Sequence, residues 1–359
     1  MMKPVYISAA AALSPQNSFD ADTLLPDVIS SDNGKLFVKD TDYSKFINPV
    51  AIRRMSRMLK IGISTGMKAV QLSGTEKLDG IITGTGRGSM RDMELFLGDM
   101  IRLKEEALNP TYFIQSTYNS VNGWLAMQTK CTGYNQTYVH RGHSFEMSLL
   151  DAKMLLHDAT EPQTYLVGCL DEMTDDYFIV KSKIGYWKKE LPNSLQLLQH
   201  SNTQGSIGGE GAAFFTITNT SANSICSIEQ LKMLHNPTAA SVQENIDSIL
   251  SAHGMKLKDI DVVLCGMSGD ARFQPLYIPI LENTTAHTTV AAFKHLCGEY
   301  DTSTGFAMWL ATKLFQEQST PEVLIQKKGI NPAINNILIV NHYTLNSASV
   351  MLMKKTSKT

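Results

Sequence analysis

Several short stretches of the chain are apolar at nearly every position and bounded by glycine or polar residues: Gly80-Ile81-Ile82-Thr83, Thr164-Tyr165-Leu166-Val167, Ala213-Phe214-Phe215-Thr216-Ile217, Val262-Val263-Leu264-Cys265 and Ile337-Leu338-Ile339-Val340. Runs that are apolar throughout, rather than alternating, predict strands covered on both faces. Between them the apolar positions recur at three- and four-residue steps: Met55, Met58, Leu59, Ile63, Met67 and Val70; Met147, Leu150, Met154 and Leu155; Val242, Ile246, Ile249 and Leu250. That period predicts helices with one buried face. Strands alternating with helices read as an α/β fold around a largely covered sheet. The opening Lys3-Pro4-Val5-Tyr6-Ile7-Ser8-Ala9 is too interrupted for a secretory leader and is expected to be the first strand.

The pattern repeats. A helix ending at Gly74 is followed by Lys77-Leu78-Asp79 and a strand opening into Gly84-Thr85-Gly86-Arg87-Gly88. A second helix ending at Gly254 is followed by Leu257-Lys258-Asp259 and a strand opening into Gly266-Met267-Ser268-Gly269. Matched units of this kind predict duplicated halves. The polar stretch Asn219-Thr220-Ser221-Ala222-Asn223-Ser224 is the expected break, giving halves of residues 1–220 and 221–359.

Composition narrows the function without naming it. With 43% hydrophobic and 18% charged residues, and 32 Lys+Arg against 34 Asp+Glu, the chain is neither disordered nor basic enough for a nucleic-acid surface. No run of about 18 apolar residues predicts a membrane span. Five scattered cysteines with no CxxC pair argue against a disulfide framework or a zinc site and fit a reducing, cytoplasmic setting.

Three segments invite chemistry. The glycines of 84–88 could admit an anion, but the segment has neither the Lys-Ser/Thr of a P-loop nor GxGxxG spacing, so a tight turn is the favoured reading. His140 and His143 have HxxH spacing but no third ligand nearby, and no metal is expected. Gly142-His143-Ser144 lies between a β-prone run and a helix, where the helix's positive end stabilises anions. Ser144 is expected to cap that helix, with Met147 beginning its buried face.

Taken together, these segments resemble a β-ketoacyl synthase of the condensing-enzyme, thiolase-like superfamily. The resemblance is carried by Ile52-Arg53-Arg54-Met55-Ser56-Arg57 leading to Lys68–Gly74, by Gly84-Thr85-Gly86-Arg87-Gly88, by Gly208-Gly209-Glu210-Gly211-Ala212-Ala213 and by Lys294-His295-Leu296-Cys297-Gly298-Glu299. It spans nearly the whole chain and implies a five-layer αβαβα arrangement of two duplicated halves. It also implies a decarboxylative condensation run by a cysteine thiolate at a helix N-terminus and two histidines.

The same register places Gly142 where that cysteine belongs. It places Gly266 at the first histidine, with Met267 there under a one-residue shift, and Glu299 at the second, while Lys294 is retained. Polar residues around these positions, His143, Ser144, Ser268, Asp270, Tyr343 and Leu345, are candidate pocket residues. Glycine forms no thioester, and an ionised carboxylate would repel an enolate. The resemblance therefore implies a non-catalytic subunit of the chain-length-factor type. Its expected partners are an active β-ketoacyl synthase in a heterodimer, or a second copy in a homodimer, together with an acyl carrier protein and its acyl chain. Fatty acid, polyketide or aryl-polyene and flexirubin-type pigment pathways fit, with no cofactor. The better-known chain-length factors carry glutamine, not glycine, at the cysteine position. The other reading is a divergent condensing enzyme, acyl transferase or hydrolase that has rebuilt its site from His143, Ser144, Asp270, Lys294 or Glu299.

Overall fold

A computed structural model describes residues 2–344 and 346–356. Eleven strands form one sheet: β1 (Val5–Leu13), β2 (Gly80–Gly84), β3 (Tyr134–Tyr138), β4 (Thr164–Asp171), β5 (Gly211–Thr218), β6 (Cys226–His235), β7 (Val262–Cys265), β8 (Thr289–Ala292), β9 (Ile325–Lys327), β10 (Asn336–Tyr343) and β11 (Ser347–Lys355). Their spatial order is β9-β8-β7-β10-β11-β6-β1-β5-β4-β2-β3. All five apolar runs are strands, and the N-terminal segment is β1, an interior strand next to the sheet's middle strand β6.

The order contains the duplication. In the first half β1 pairs antiparallel with β5, β5 antiparallel with β4, and β4 and β3 each pair parallel with β2. In the second, β6 pairs antiparallel with β11, β11 antiparallel with β10, and β10 and β8 each pair parallel with β7. Even an irregularity repeats. The register of β1 on β5 slips between Ile7 and Ala9, and that of β11 on β6 slips where Met353 pairs with Ile228 and Leu352 with Gln230. Ser8 and Glu229 are thus equivalent extra residues.

The turn before the second strand of each half is built alike. The Asp79 carbonyl accepts from Tyr134 N and its carboxylate from Thr164 N, 2.8 Å away. The Asp261 carbonyl accepts from Thr289 N, and its carboxylate accepts from Asn335 N and Asn336 N at 2.7 and 2.8 Å. One aspartate therefore holds the starts of two neighbouring strands in each half. The structural partner of Asp79 is Asp261, not the Asp259 that the sequence echo matched, because Asp259 lies in a 3₁₀ turn inserted ahead of the strand.

Six helices complete the layers: α1 (Arg57–Ser73), α2 (Ser120–Thr129), α3 (Ser144–Asp158), α4 (Asp175–Lys183), α5 (Ala239–Ala252) and α6 (Thr304–Glu317). Ser56 caps α1 by accepting from Leu59 N, and Gly74 ends it in the left-handed conformation. α1 and α2 cover the outer face of the first half, α5 covers that of the second, and α3 and α6 fill the layer between. This is the expected five-layer αβαβα arrangement. From Thr304 to Thr312 every residue of α6 is buried, as a helix packed on all sides requires.

Helix α3 differs from expectation in its phase. Its buried apolar residues are Phe145, Leu149, Ala152 and Leu156, whereas Met154 is 52% exposed. The predicted stripe of Met147, Leu150, Met154 and Leu155 is displaced because Glu146, Ser148 and Lys153, polar in sequence, also face inward. Lys153 is buried by donating to the carbonyls of Ile228 and Glu229. Ser144 is not the cap: it is the first helical residue, accepting from His140 N and donating to the Arg141 carbonyl, both at 2.8 Å. Among the described residues no helix is long and apolar enough to cross a membrane.

The 84–88 segment is a turn out of β2, and its first glycine is demanded by the start of α3. A Cβ on Gly84 would meet the Ser144 carbonyl group and come within 2.6 Å of Phe145 N, backbone atoms that cannot step aside. Gly84→Ala should cost at least about 2 kcal/mol in chemical denaturation. Gly98→Ala, in the exposed helix Met90–Arg102 with open space around it, should instead stabilise by about 0.5–1 kcal/mol.

Candidate functional site

The carboxyl ends of β3, β7, β8 and β10 bring the sequence-predicted positions together. Gly142 is buried in the turn between β3 and α3, Gly266 follows β7, Lys294 and Glu299 follow β8, and Asn341-His342-Tyr343 ends β10. Each of these three β10 residues reaches a different one of the other positions.

Tyr343 lies against Gly142. A Cβ built on Gly142 would sit 2.5 Å from the Tyr343 Cβ and 3.0 Å from its Cγ, so the space of a residue-142 side chain is already filled by the tyrosine. Asn341 does the same at Gly266, where a Cβ would collide with its carboxamide oxygen. The Asn341 amide donates to Thr304 Oγ1 at 2.8 Å, which fixes the carboxamide in that place. His342, one residue along, points to the opposite face of the strand. Its ring packs on Phe273 with centroids 4.4 Å apart, its Nδ1 is 2.6 Å from the Tyr277 hydroxyl and its Nε2 is 3.4 Å from Ser268 Oγ. Burial, with Lys294 nearby, holds the imidazole well below its ordinary pKa and therefore neutral.

The His342 carbonyl accepts from Lys294 Nζ at 2.5 Å. That ammonium also donates to both Glu299 oxygens at 2.8 Å. Lys294 is fully buried and Glu299 nearly so, making this a desolvated ion pair with all three ammonium donors used. Burial raises the Glu299 pKa, and Lys294 opposes the rise. The pair is satisfied internally, as a desolvated ion pair must be if it is not to cost stability.

The other sequence candidates are likewise committed. His143 is buried, with Nε2 3.1 Å from the Ala348 carbonyl, and faces β11 rather than Ser144. Asp270 is held by Arg272 through Nη2 at 2.6 Å and Nε at 3.0 Å. Ser268 is the one candidate hydroxyl beside an imidazole. Leu345 lies outside the described residues.

Sequence reasoning missed two buried carboxylates that hold the site. Asp171, the last residue of β4, accepts from Gly86 N, Thr85 Oγ1, Thr302 N and Thr302 Oγ1 at 2.8–3.1 Å, tying the glycine turn of one half to the segment preceding α6 in the other. Its pKa is raised by burial and then by Asp301. Glu146 accepts from Thr304 Oγ1 at 2.6 Å and Ser349 Oγ at 2.8 Å. The available signal was an acid directly after an apolar strand in the first case and an acid in the first turn of a buried helix in the second.

Two outcomes follow. Lys294→Met leaves the buried Glu299 carboxylate alone and should cost about 3–5 kcal/mol, with Lys294→Met/Glu299→Leu recovering most of it in denaturant titrations. The folded state raises the Glu299 pKa, so its contribution to stability is greatest at low pH and falls as pH rises; the defect of the single variant should grow from acid to alkaline buffer. Gly142→Cys should give no condensation activity and no alkylatable thiol beyond those of the unaltered protein, in which Cys131 is partly exposed, whereas Gly142→Cys/Tyr343→Ala should add one thiol reactive to iodoacetamide and still not condense.

Residues 31–253, more than half of the chain, match the sequence profile described as beta-ketoacyl synthase, N-terminal domain. Among curated proteins no sequence matches. Several solved structures share the fold along the whole chain. One described as the ishigamide ketosynthase/chain length factor aligns at TM-score 0.79 and 14% identity, covering 99% of this chain and 100% of that one. A beta-ketoacyl synthase from Burkholderia phymatum STM815 aligns at 0.78 and 12%, with the same coverages. A ketosynthase solved with its type II PKS acyl-carrier protein and bound to the hexaketide aligns at 0.75 and 14%, again over 99% and 100%. With its thiolase-like fold, its duplicated sheet and a profile match over most of its length, the chain belongs to the beta-ketoacyl synthase family.

Proposed function

We propose that this chain is a non-catalytic, chain-length-factor-type subunit that pairs with an active β-ketoacyl synthase and acts with acyl-carrier-protein-bound chains. One observation carries the reading. Tyr343 fills the space beside Gly142, and Asn341 fills the space beside Gly266. A side chain at neither position has room, so the site lacks its nucleophile and the volume for one. The Lys294 and Glu299 charges neutralise each other inside the protein and leave no imidazole at 299 for an enolate. Losing such groups together removes most of the rate that they supply as a unit.

The mating surface in this reading is the free edge of the first half. β3 ends the sheet and hydrogen-bonds on one side only, to β2. Along it Tyr134 and Val139 are exposed, and Met127 of α2, the helix packed against β3, is 71% exposed. An unpaired edge flanked by apolar side chains is a surface that another chain's edge completes. The similar structures described as a ketosynthase/chain length factor and as a ketosynthase with its carrier protein support a synthase and an acyl carrier protein as partner kinds. The pathway assignment, polyketide, fatty acid or aryl-polyene and flexirubin-type pigment synthesis, and the cytoplasmic setting, which suits five free cysteines, are parts of the same proposal.

A rebuilt active site is the second reading, and the Ser268–His342 contact is what favours it. It is the weaker one. If Tyr277 donates to Nδ1, the Nε2 nitrogen carries the ring proton and cannot take one from Ser268. Ser268 and His342 are also both buried.

Co-expression with active β-ketoacyl synthases of the same genome should give a one-to-one complex with one of them by light scattering. Aspartate substitutions at Val139 and Met127 should weaken that complex. Incubation with acyl-carrier-protein thioesters should leave the intact mass of this chain unchanged. A stable acyl adduct on this chain, or indifference to every one of those synthases, would remove the proposal.

A further inference from the structure

Beside the filled position at 142 stands a cluster of cations that exceeds the carboxylates paired with it. Lys181, near the end of α4, is only 6% exposed. Its Nζ stands 3.5 Å from the centroid of the Tyr186 ring and 3.4 Å from the Tyr343 hydroxyl, with the Tyr177 ring at 5.5 Å. Arg87 lies on the other side of the same hydroxyl, 3.5 Å away through Nη2. Its guanidinium covers Tyr177 at 4.7 Å, and its Nε meets Asp301 at 3.2 Å. Arg141 completes the group from the exposed rim, donating to the Gly86 carbonyl at 3.3 Å.

The charges do not close. Among the described residues the nearby ion pairs join Arg87 to Asp301 and Lys294 to Glu299, and no carboxylate lies within 4.0 Å of Lys181. Burial first, then Arg87 and in smaller measure Arg141 as like charges, bring its pKa down to about 8, while the more distant Asp301 and Glu299 carboxylates act against the fall. A desolvated ammonium costs several kcal/mol unless paired, and aromatic faces return about 2 kcal/mol. Arg141 adds strain, since its φ of 52° is left-handed and costs a non-glycine residue about 1–2 kcal/mol. A fold that spends this energy to set two unpaired cations and one shared guanidinium around a phenol presents the donor set that an anion completes.

We propose that Lys181, Arg87 and Arg141, with the hydroxyls of Tyr177 and Tyr343, form a binding site for one compact oxyanion, a carboxylate or a phosphate group. The site is a point and not a stripe, so it takes a single anionic head rather than a polyanion. The Arg141 rim opens it to solvent, and the neighbouring tyrosines report on occupancy. This inference does not depend on the assembly proposed above, because it concerns the isolated chain and small anions.

The test is to titrate malonate and, separately, inorganic phosphate into the full chain near pH 7, where Lys181 is charged, following heat and tyrosine difference absorption with sodium chloride as the control. At least one anion should bind at a single site with a tyrosine signal, and the tighter of the two identifies the head group as carboxylate or phosphate. Lys181→Met should weaken it by at least about tenfold, while Lys181→Arg keeps it. Arg141→Ser, at an exposed position that does not endanger folding, should weaken it several-fold. No saturation by about 50 mM, an equal response to chloride, or unaltered affinity in both Lys181→Met and Arg141→Ser overturns the proposal.

Discussion

The end of β10 is the constraint on which the site depends. That strand is held on both sides as far as Val340, parallel by β7 and antiparallel by β11, and Asn341, His342 and Tyr343 continue the pairing with β11, so their positions are set by sheet register rather than by a loop. Alternation along the strand then decides the rest. Asn341 and Tyr343 face the central helical layer and close on Gly266 and Gly142, while His342 turns to the outer layer and its carbonyl takes the third donor of Lys294. Changing one of these residues disturbs the others through a shared backbone.

The buried polar network around them follows from that filling. With no room for a side chain at 142 or 266, most of the charges left nearby answer one another, Lys294 with Glu299, Arg87 with Asp301 and Asp270 with Arg272, while Lys181 and Arg141 have no carboxylate partner among the described residues. Asp171 performs a different task, collecting four donors from two halves of the chain. These groups stabilise an architecture, and of the pocket residues picked out in the sequence His143 and Asp270 are held by partners within the protein.

The sequence made the strands legible because a strand covered on both faces must be apolar at every position, and five such runs stood out. The duplication was legible too, although its matching of Asp79 with Asp259 fell two residues short of Asp261, since a 3₁₀ turn lengthens the second copy without altering composition. Helix α3 was placed but turned, because Lys153 and Glu146 are buried by partners on β6, β11 and α6 that lie up to 200 residues away. The site was legible only as a set of missing groups. Glycine at 142 and 266 says that a side chain is absent, and nothing local says that Tyr343 and Asn341 have taken its space. Likewise Lys181 reads as a surface lysine on a short helix until the fold closes aromatic rings over it.

The seam between the halves has its own consequence. β1 and β6 meet antiparallel with Val5 on Ile228, Tyr6 on Ser227 and Ile7 on Cys226. If the shared bulge makes Ile7 the counterpart of Ile228, then Val5 corresponds to Cys226, and the seam is self-complementary: Val5 pairs with the equivalent of Ile7, Ile7 with the equivalent of Val5, and Tyr6 with its own equivalent Ser227. That is the signature of a two-fold axis. The same contact would join two separate half-length chains edge to edge. A gene fusion across the seven residues between β5 and β6 would have turned that dimer into one molecule, freeing the two copies to lose different residues.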